Sequence, residues 1–149
     1  HSKVAVLFID VDDFKFINDR FGHSVGDEVI KYVAGCIKQR VKGSGFAGRF
    51  GGDEFVLCIT DPKQIEEIES LSLDLIDELY EGYHSELANV SINVKASIGI
   101  AFYPEHGDDS NKVVAAADEA MYFVKKNGKA NYHIYQPEDS EMEDLQHTL

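Results

Sequence analysis

Phe46–Thr60 reads FAGRFGGDEFVLCIT, and this stretch decides the fold. Two runs with strand character, Phe46–Phe50 and Glu54–Thr60, flank a Gly51-Gly52 pair. Adjacent glycines tolerate positive φ, so the runs are expected to form one β-hairpin. The hairpin presents Asp53 and Glu54 side by side, and the glycines leave room for a bulky ligand against the backbone. An acidic turn is the plain reading. A cation-binding turn is the sharper one, and it needs a second acid from elsewhere.

Upstream, Lys3–Asp10 is a nearly continuous apolar run, which marks a central strand. It ends in Asp10-Val11-Asp12. Side chains alternate along a strand, so the two Asp share a side and Val11 points away. A carboxylate at the end of a central strand suits Mg²⁺, which prefers hard oxygen ligands. If this strand neighbours the hairpin, Asp10 and Asp53 converge. Clustered carboxylates repel, and a divalent cation relieves the repulsion. Two acids holding two cations about 3.5–4 Å apart recur in phosphoryl transfer.

Asp13–Phe21 is expected to be a short helix whose first turn carries Phe14, Lys15 and Phe16. Amides at a helix start bind phosphate oxygens, and Lys15 adds a cation. Asp27–Val41 is read as a longer helix, with Val29, Val33, Cys36, Ile37 and Val41 at helical spacing. The segment Asn18–Asp27, which runs from the first helix to the start of the second, carries Asn18, His23 and Asp27. A carboxylate and a carboxamide together can read a guanine edge. Taken singly, Asp27 reads first as a helix N-cap and His23 first as a local hydrogen-bonding residue.

Further along, Ile65–Tyr83 is an amphipathic helix with Ile65, Ile68, Leu75, Ile76 and Leu79 inward. Val90–Tyr103 alternates as a long half-buried strand, or two in series, with Ser91, Asn93, Lys95, Ser97 and Gly99 on the polar side. Ser110 is the expected N-cap of a helix reaching Asn127 and ended by Gly128, and Tyr132–Tyr135 is a last strand. The order β-α-α-β-β-α-β-α-β gives an α+β fold, with helices packed on a mostly antiparallel sheet.

The 149 residues are 44% hydrophobic and 28% charged, which suits one domain with a real core. No apolar run approaches the roughly 20 residues of a membrane span. Cys36 and Cys58 sit in apolar patterns and are expected as core thiols, which points to the cytosol. The net charge of −13 disfavours nucleic-acid partners, because phosphate backbones repel an acidic surface. Asp61–Glu86 holds nine acids against one Lys, and Glu138–Leu149 holds five acids and no Lys or Arg. The latter is expected to be a frayed tail. Lys125, Lys126 and Lys129 cluster instead, and fit a small anion.

Taken together, these segments resemble the GGDEF family of diguanylate cyclases. The family's name motif stands as Gly51-Gly52-Asp53-Glu54-Phe55, after Arg49-Phe50. Asp10 to Asp19 looks like its metal and phosphate segment, and Gly22 to Asp27 like its guanine segment. Ala96 to Ala101 and Ala117 to Tyr122 look like its later strand and helix. The resemblance implies a polymerase-palm, nucleotidyl-cyclase-like domain with a five-stranded sheet over residues 1–137, followed by an acidic flexible tail over 138–149. It implies that Asp10, Asp53, Glu54 and the Val11 carbonyl hold Mg²⁺, or Mn²⁺ in its place. Asp53 or Glu54 would help deprotonate the attacking 3′-hydroxyl, and Lys15 would stabilise charge on the phosphates. Asn18 and Asp27 would read guanine with His23 nearby, Phe14, Gly51 and Gly52 would line the nucleotide, and Lys125 and Lys129 would hold phosphates.

The implied reaction condenses two GTP into cyclic di-GMP in a transient homodimer. The alternative is a non-catalytic GTP-binding regulatory module. Three departures from the family stand out. Lys129 replaces an Arg and loses its bidentate fork. Lys42-Gly43-Ser44-Gly45 stands where many members carry an inhibitory Arg-x-x-Asp, so product feedback there is expected to be absent. A family segment with an Asp-x-Leu-Thr motif is missing before the first strand. The chain is therefore expected to belong to a longer protein with an N-terminal sensor or membrane region.

Overall fold

A computed structural model describes residues 3–41 and 43–140. Lys42 and the 141–149 stretch of the expected tail lie outside the described residues. Five strands form the main sheet in the order β2-β3-β1-β6-β7, built from β1 (Val4–Val11), β2 (Phe46–Arg49), β3 (Glu54–Thr60), β6 (Ala96–Tyr103) and β7 (Tyr132–Ile134). Only β6 and β7 pair in parallel. The apolar run of β1 does place it centrally, between β3 and β6. The mostly antiparallel five-stranded sheet flanked by helices is the fold expected from the sequence.

The two faces of the sheet are covered differently. Leu7, Ile9 and Val11 point into a core shared with α2 (His23–Lys38) and α3 (Ile65–Glu81). Val6 and Phe8 point the other way, towards α4 (Ser110–Lys126). Cys36 belongs to the first core and Cys58 to the second; both are buried and free.

Several boundaries differ from expectation, each for a physical reason. Helix α2 begins at His23, so Asp27 lies inside it and does not cap it. Helix α3 stops at Glu81 because Gly82 turns left-handed, φ 106°. The next residues form a small hairpin that sequence patterning does not reveal, β4 (Tyr83–Ser85) with β5 (Val90–Ile92). Ile65 lies at the first position of α3 and is 43% exposed, not inward.

The long alternating segment breaks at Asn93–Lys95, where the backbone serves neighbours instead of a strand partner. Val94 N–H donates to the Leu79 carbonyl and Asn93 Nδ2 to the Tyr80 carbonyl, satisfying the end of α3. Lys95 accepts from the Asp12 amide. The side of β6 expected to be polar is also buried: a Cβ added at Gly99 would lie 1.9 Å from the Ala117 carbonyl oxygen. Ser97 and Gly99 are small so that α4 can lie directly on the strand. Asp109, not Ser110, caps α4, its carboxylate accepting from the Lys112 amide.

After β7 the chain makes a helical turn at 137–140. Asp139 is buried there and accepts from the Gln136 amide, 3.1 Å from His133 Nε2. Among the described residues, no helix is long and apolar enough to cross a membrane.

Candidate active site

The register of the central strands assembles the acids. Asp10 stands opposite Glu54 on β3 and opposite Ser97 on β6, and directly opposed residues share a face. Asp53 sits one residue before β3. Its carbonyl accepts from the Val11 amide at 3.1 Å, which ties the end of β1 to the hairpin. The Asp53 side chain nonetheless reaches Asp10 at this end of the sheet, where the two carboxyl groups interact, as the sequence pattern anticipates.

The electrostatics of this pair are unfavourable without a cation. Burial pushes the Asp10 carboxyl up to about 7; the Asp53 charge adds to the rise and Lys125 opposes it. Asp10 Oδ1 is buried and has no hydrogen-bond partner among the described residues. Burial also raises Glu54, helped by the charges of Asp118 and Asp53. Among the described residues, no group of three or more His, Cys, Asp or Glu could hold a metal ion. The fit is to a cation that takes one or two carboxylates and completes its shell with water and phosphate oxygens. Hard divalent cations bind in this way.

The hairpin turn differs from expectation in how it uses glycine. Neither Gly51 nor Gly52 adopts positive φ. At Gly51 a Cβ would lie 2.6 Å from Glu54 Oε1, so a side chain there would displace the Glu54 carboxylate. The Arg49 guanidinium clamps the turn, its Nε reaching the Gly51 and Gly52 carbonyls at 3.1 Å. Sequence reading gave Arg49 no role. A long cation four residues before two turn acids is the signal that would have found it.

Helix α1 (Phe14–Phe21) starts directly beyond Asp12. Asp13, at its N-cap position, is left-handed (φ 55°) and makes no side-chain cap. Its carboxylate pairs instead with Lys129 Nζ at 2.9 Å, a contact that holds the Asp13 carboxyl below its ordinary range. Lys15 is exposed in the first turn, and the Asp13 carbonyl accepts from the Phe16 and Ile17 amides at 3.0 and 3.3 Å. Asn18 on α1 faces α2 closely: a Cβ on Gly26 would lie 1.8 Å from Asn18 Oδ1 and 3.3 Å from the Phe14 ring. Gly26 thus lets Phe14 and Asn18 pack beside Asp27, which is exposed on the next position of α2. His23 is the exposed first residue of that helix.

Lys125, in the last turn of α4, lies 2.6 Å from Asp12 Oδ1 and 3.4 Å from Asp10 Oδ2. In this structure it serves the carboxylates.

The chain belongs to the GGDEF family: the family model described as "Diguanylate cyclase, GGDEF domain" matches residues 1–131. It is 34% identical over 136 residues to the signaling protein YkoW of Bacillus subtilis, covering 91% of this chain and 17% of that protein. It is 35% identical over 134 residues to the bifunctional diguanylate cyclase/cyclic di-GMP phosphodiesterase MucR of Pseudomonas aeruginosa, covering 90% of this chain and 19% of that one. The chain thus spans about a fifth of the length of these relatives. Among solved structures, the isolated GGDEF domain of TpbB (YfiN) from Pseudomonas aeruginosa superposes with a TM-score of 0.90 at 31% identity, over 96% of this chain and 83% of that one.

Proposed function

We propose that this domain is a diguanylate cyclase that condenses two GTP into cyclic di-GMP and two pyrophosphates. The observation that carries the reading is the buried, unpartnered Asp10 oxygen beside Asp53 at the end of the central strand. Asp10, Asp53 and the Val11 carbonyl would hold Mg²⁺ or Mn²⁺, with Glu54 adjoining. The bound cation would supply positive charge to the phosphates and lower the pKa of the attacking 3′-hydroxyl.

The remaining steps belong to the chain's own residues. Asn18 and Asp27 hold the guanine edge, with Phe14 and His23 beside it. The start of α1 and Lys15 take phosphate oxygens, and Gly51 and Gly52 let the nucleotide approach the hairpin backbone. Asp53 or Glu54 receives the 3′-hydroxyl proton as oxygen attacks the α-phosphate of a second nucleotide and pyrophosphate leaves. Lys125 and Lys129 neutralise the departing charge.

One constellation per chain binds one GTP, so two copies meet face to face and each supplies the other's acceptor. The acidic surfaces repel, so this homodimer is transient and initial velocity rises with nearly the square of protein concentration below saturation. A second reading, a non-catalytic GTP-binding regulatory module, is favoured by one observation: Lys125 already supplies internal positive charge to Asp10. Incubation with GTP and Mg²⁺, followed by identification of the product, separates the two. Cyclic di-GMP supports the cyclase; GTP binding without turnover at any protein concentration supports the module.

A further inference from the structure

Asp12 lies in the Asp10-Val11-Asp12 segment, yet the reaction just described gives it nothing to do. Its side chain is fully buried. A buried carboxylate is costly unless its oxygens are matched by donors. Asp12 has three, each from a different part of the chain. Ser97 Oγ on β6 donates to Oδ1 at 2.7 Å, Lys125 Nζ on α4 to the same oxygen at 2.6 Å, and the Ala130 amide to Oδ2 at 2.9 Å.

The Ala130 contact holds an unusual loop. Gly128, Lys129 and Ala130 are left-handed in succession, with φ of 108°, 62° and 50°. Two of them carry side chains, for which this conformation is disfavoured and persists only where the surroundings impose it. The Lys129 amide is fixed to the Val124 carbonyl at 2.9 Å and the Ala130 amide to Asp12. This loop aims Lys129 across the start of α1, at Asp13. Asp12 also draws Lys125 to 2.6 Å from itself and leaves it 3.4 Å from Asp10, whose Oδ1 has no partner among the described residues.

We propose that Asp12 is a positioning residue that sets both phosphate-side lysines, Lys125 directly and Lys129 through the left-handed loop, while keeping Lys125 from closing on Asp10. The role rests on the reading of the site as a GTP site. It assigns Asp12 to the phosphate end and leaves the guanine end, built by α1 and α2, independent of it.

The test compares two ligands by calorimetry on the full chain with Mg²⁺: a non-hydrolysable GTP analogue and guanosine, which lacks phosphates. Asp12→Asn is isosteric but gives up the charge. It is expected to weaken the GTP analogue by about 10-fold or more, as loss of a charged hydrogen-bonded partner does, with guanosine affinity within about twofold of the unaltered domain. Lys125→Met is expected to give the same split. The double variant is expected to be little worse than the weaker single, because the two residues act as one unit.

Equal losses for both ligands, unchanged affinity for both, or strictly additive losses would overturn the role and leave Asp12 as a fold stitch alone. If Asp12→Asn does not fold by circular dichroism, Asp12→Glu retains the charge but displaces Lys125 by one methylene, and the same split is expected from it. If the unaltered domain binds guanosine and the GTP analogue equally, the GTP-site reading itself fails and this role with it.

Discussion

Asp10 and Asp12 lie two residues apart on one side of the end of β1, in opposite surroundings. The region around Asp12, closed by β6, α4 and the 128–130 loop, gives every buried oxygen a donor. The region around Asp10, bounded by the hairpin, leaves one buried oxygen without a partner among the described residues and sets a second carboxylate against it. Unmet electrostatic demand in a folded protein is stable only if something outside the chain meets it, or if packing elsewhere bears the cost. The Asp12 region is self-satisfied and can hold its lysines in place, whereas the Asp10 region keeps a demand that a bound cation would meet.

The largest expected effect would break this comparison at its unsatisfied side. Asp53→Ala should lower cyclic di-GMP formation from GTP and Mg²⁺ by roughly 10³-fold or more, the scale on which lost transition-state charge stabilisation acts. Its melting curve should match that of the unaltered domain, because the hairpin tip carries little packing. Retained synthesis would remove Asp53 from the chemistry.

The next test strikes the satisfied side through its packing. Gly99→Ala places a methyl against backbone of α4, 2.2 Å from the Met121 amide nitrogen. Backbone cannot yield as a flexible side chain can, so a loss of about 3 kcal/mol is expected, the upper end of ordinary overpacking. Urea denaturation measures it. An unchanged midpoint would mean that α4 does not seat on β6 as described.

A third test leaves both carboxylates alone and so sharpens the contrast. Asp27→Ala should cut the preference for GTP over ATP by about 100-fold, since a site built to hydrogen-bond a base rejects one lacking the donors. Competition binding with the two nucleotides reads this out. Undiminished discrimination would place guanine recognition elsewhere.

The smallest effect tests redundancy around Asp12. Ser97→Ala removes one of three donors and should cost about 1.5 kcal/mol of stability, the low end for a hydrogen bond to a charged group. Nucleotide affinity should not change, because Lys125 and Ala130 keep their contacts. A loss of GTP affinity equal to that of Lys125→Met would show that Ser97 is part of the phosphate end.

Much of this was legible in the sequence, and the reason differs by element. The apolar run of β1 reads as a central strand because both of its faces are buried. Asp10 and Asp53 were marked as partners because a carboxylate at a strand end and another in a neighbouring hairpin must converge if the strands pair. The start of α2 was misplaced by four residues because Gly22 and His23 look like loop residues. The helix nonetheless begins there, since Gly22 alone takes up the left-handed turn from α1, φ 92°. The β4–β5 hairpin was invisible because its strands are three residues each, too short for alternation to show. Glu28 holds it in place, accepting from Tyr83 and Ser85 at 2.9 and 2.8 Å.

By itself the sequence determined the mostly antiparallel sheet through apolar periodicity, and the acids at the strand end and the family through motifs contiguous in the chain, the palm-like architecture being what the resemblance to that family implies. The tertiary structure alone decided which carboxylate is satisfied and which is not. Asp12 and its donors are separated by 85, 113 and 118 positions along the chain, and no local pattern encodes a meeting of that kind. It decided also that Ser97 and Gly99 face α4 rather than solvent, since alternation tells which residues share a face of a strand but not what covers that face.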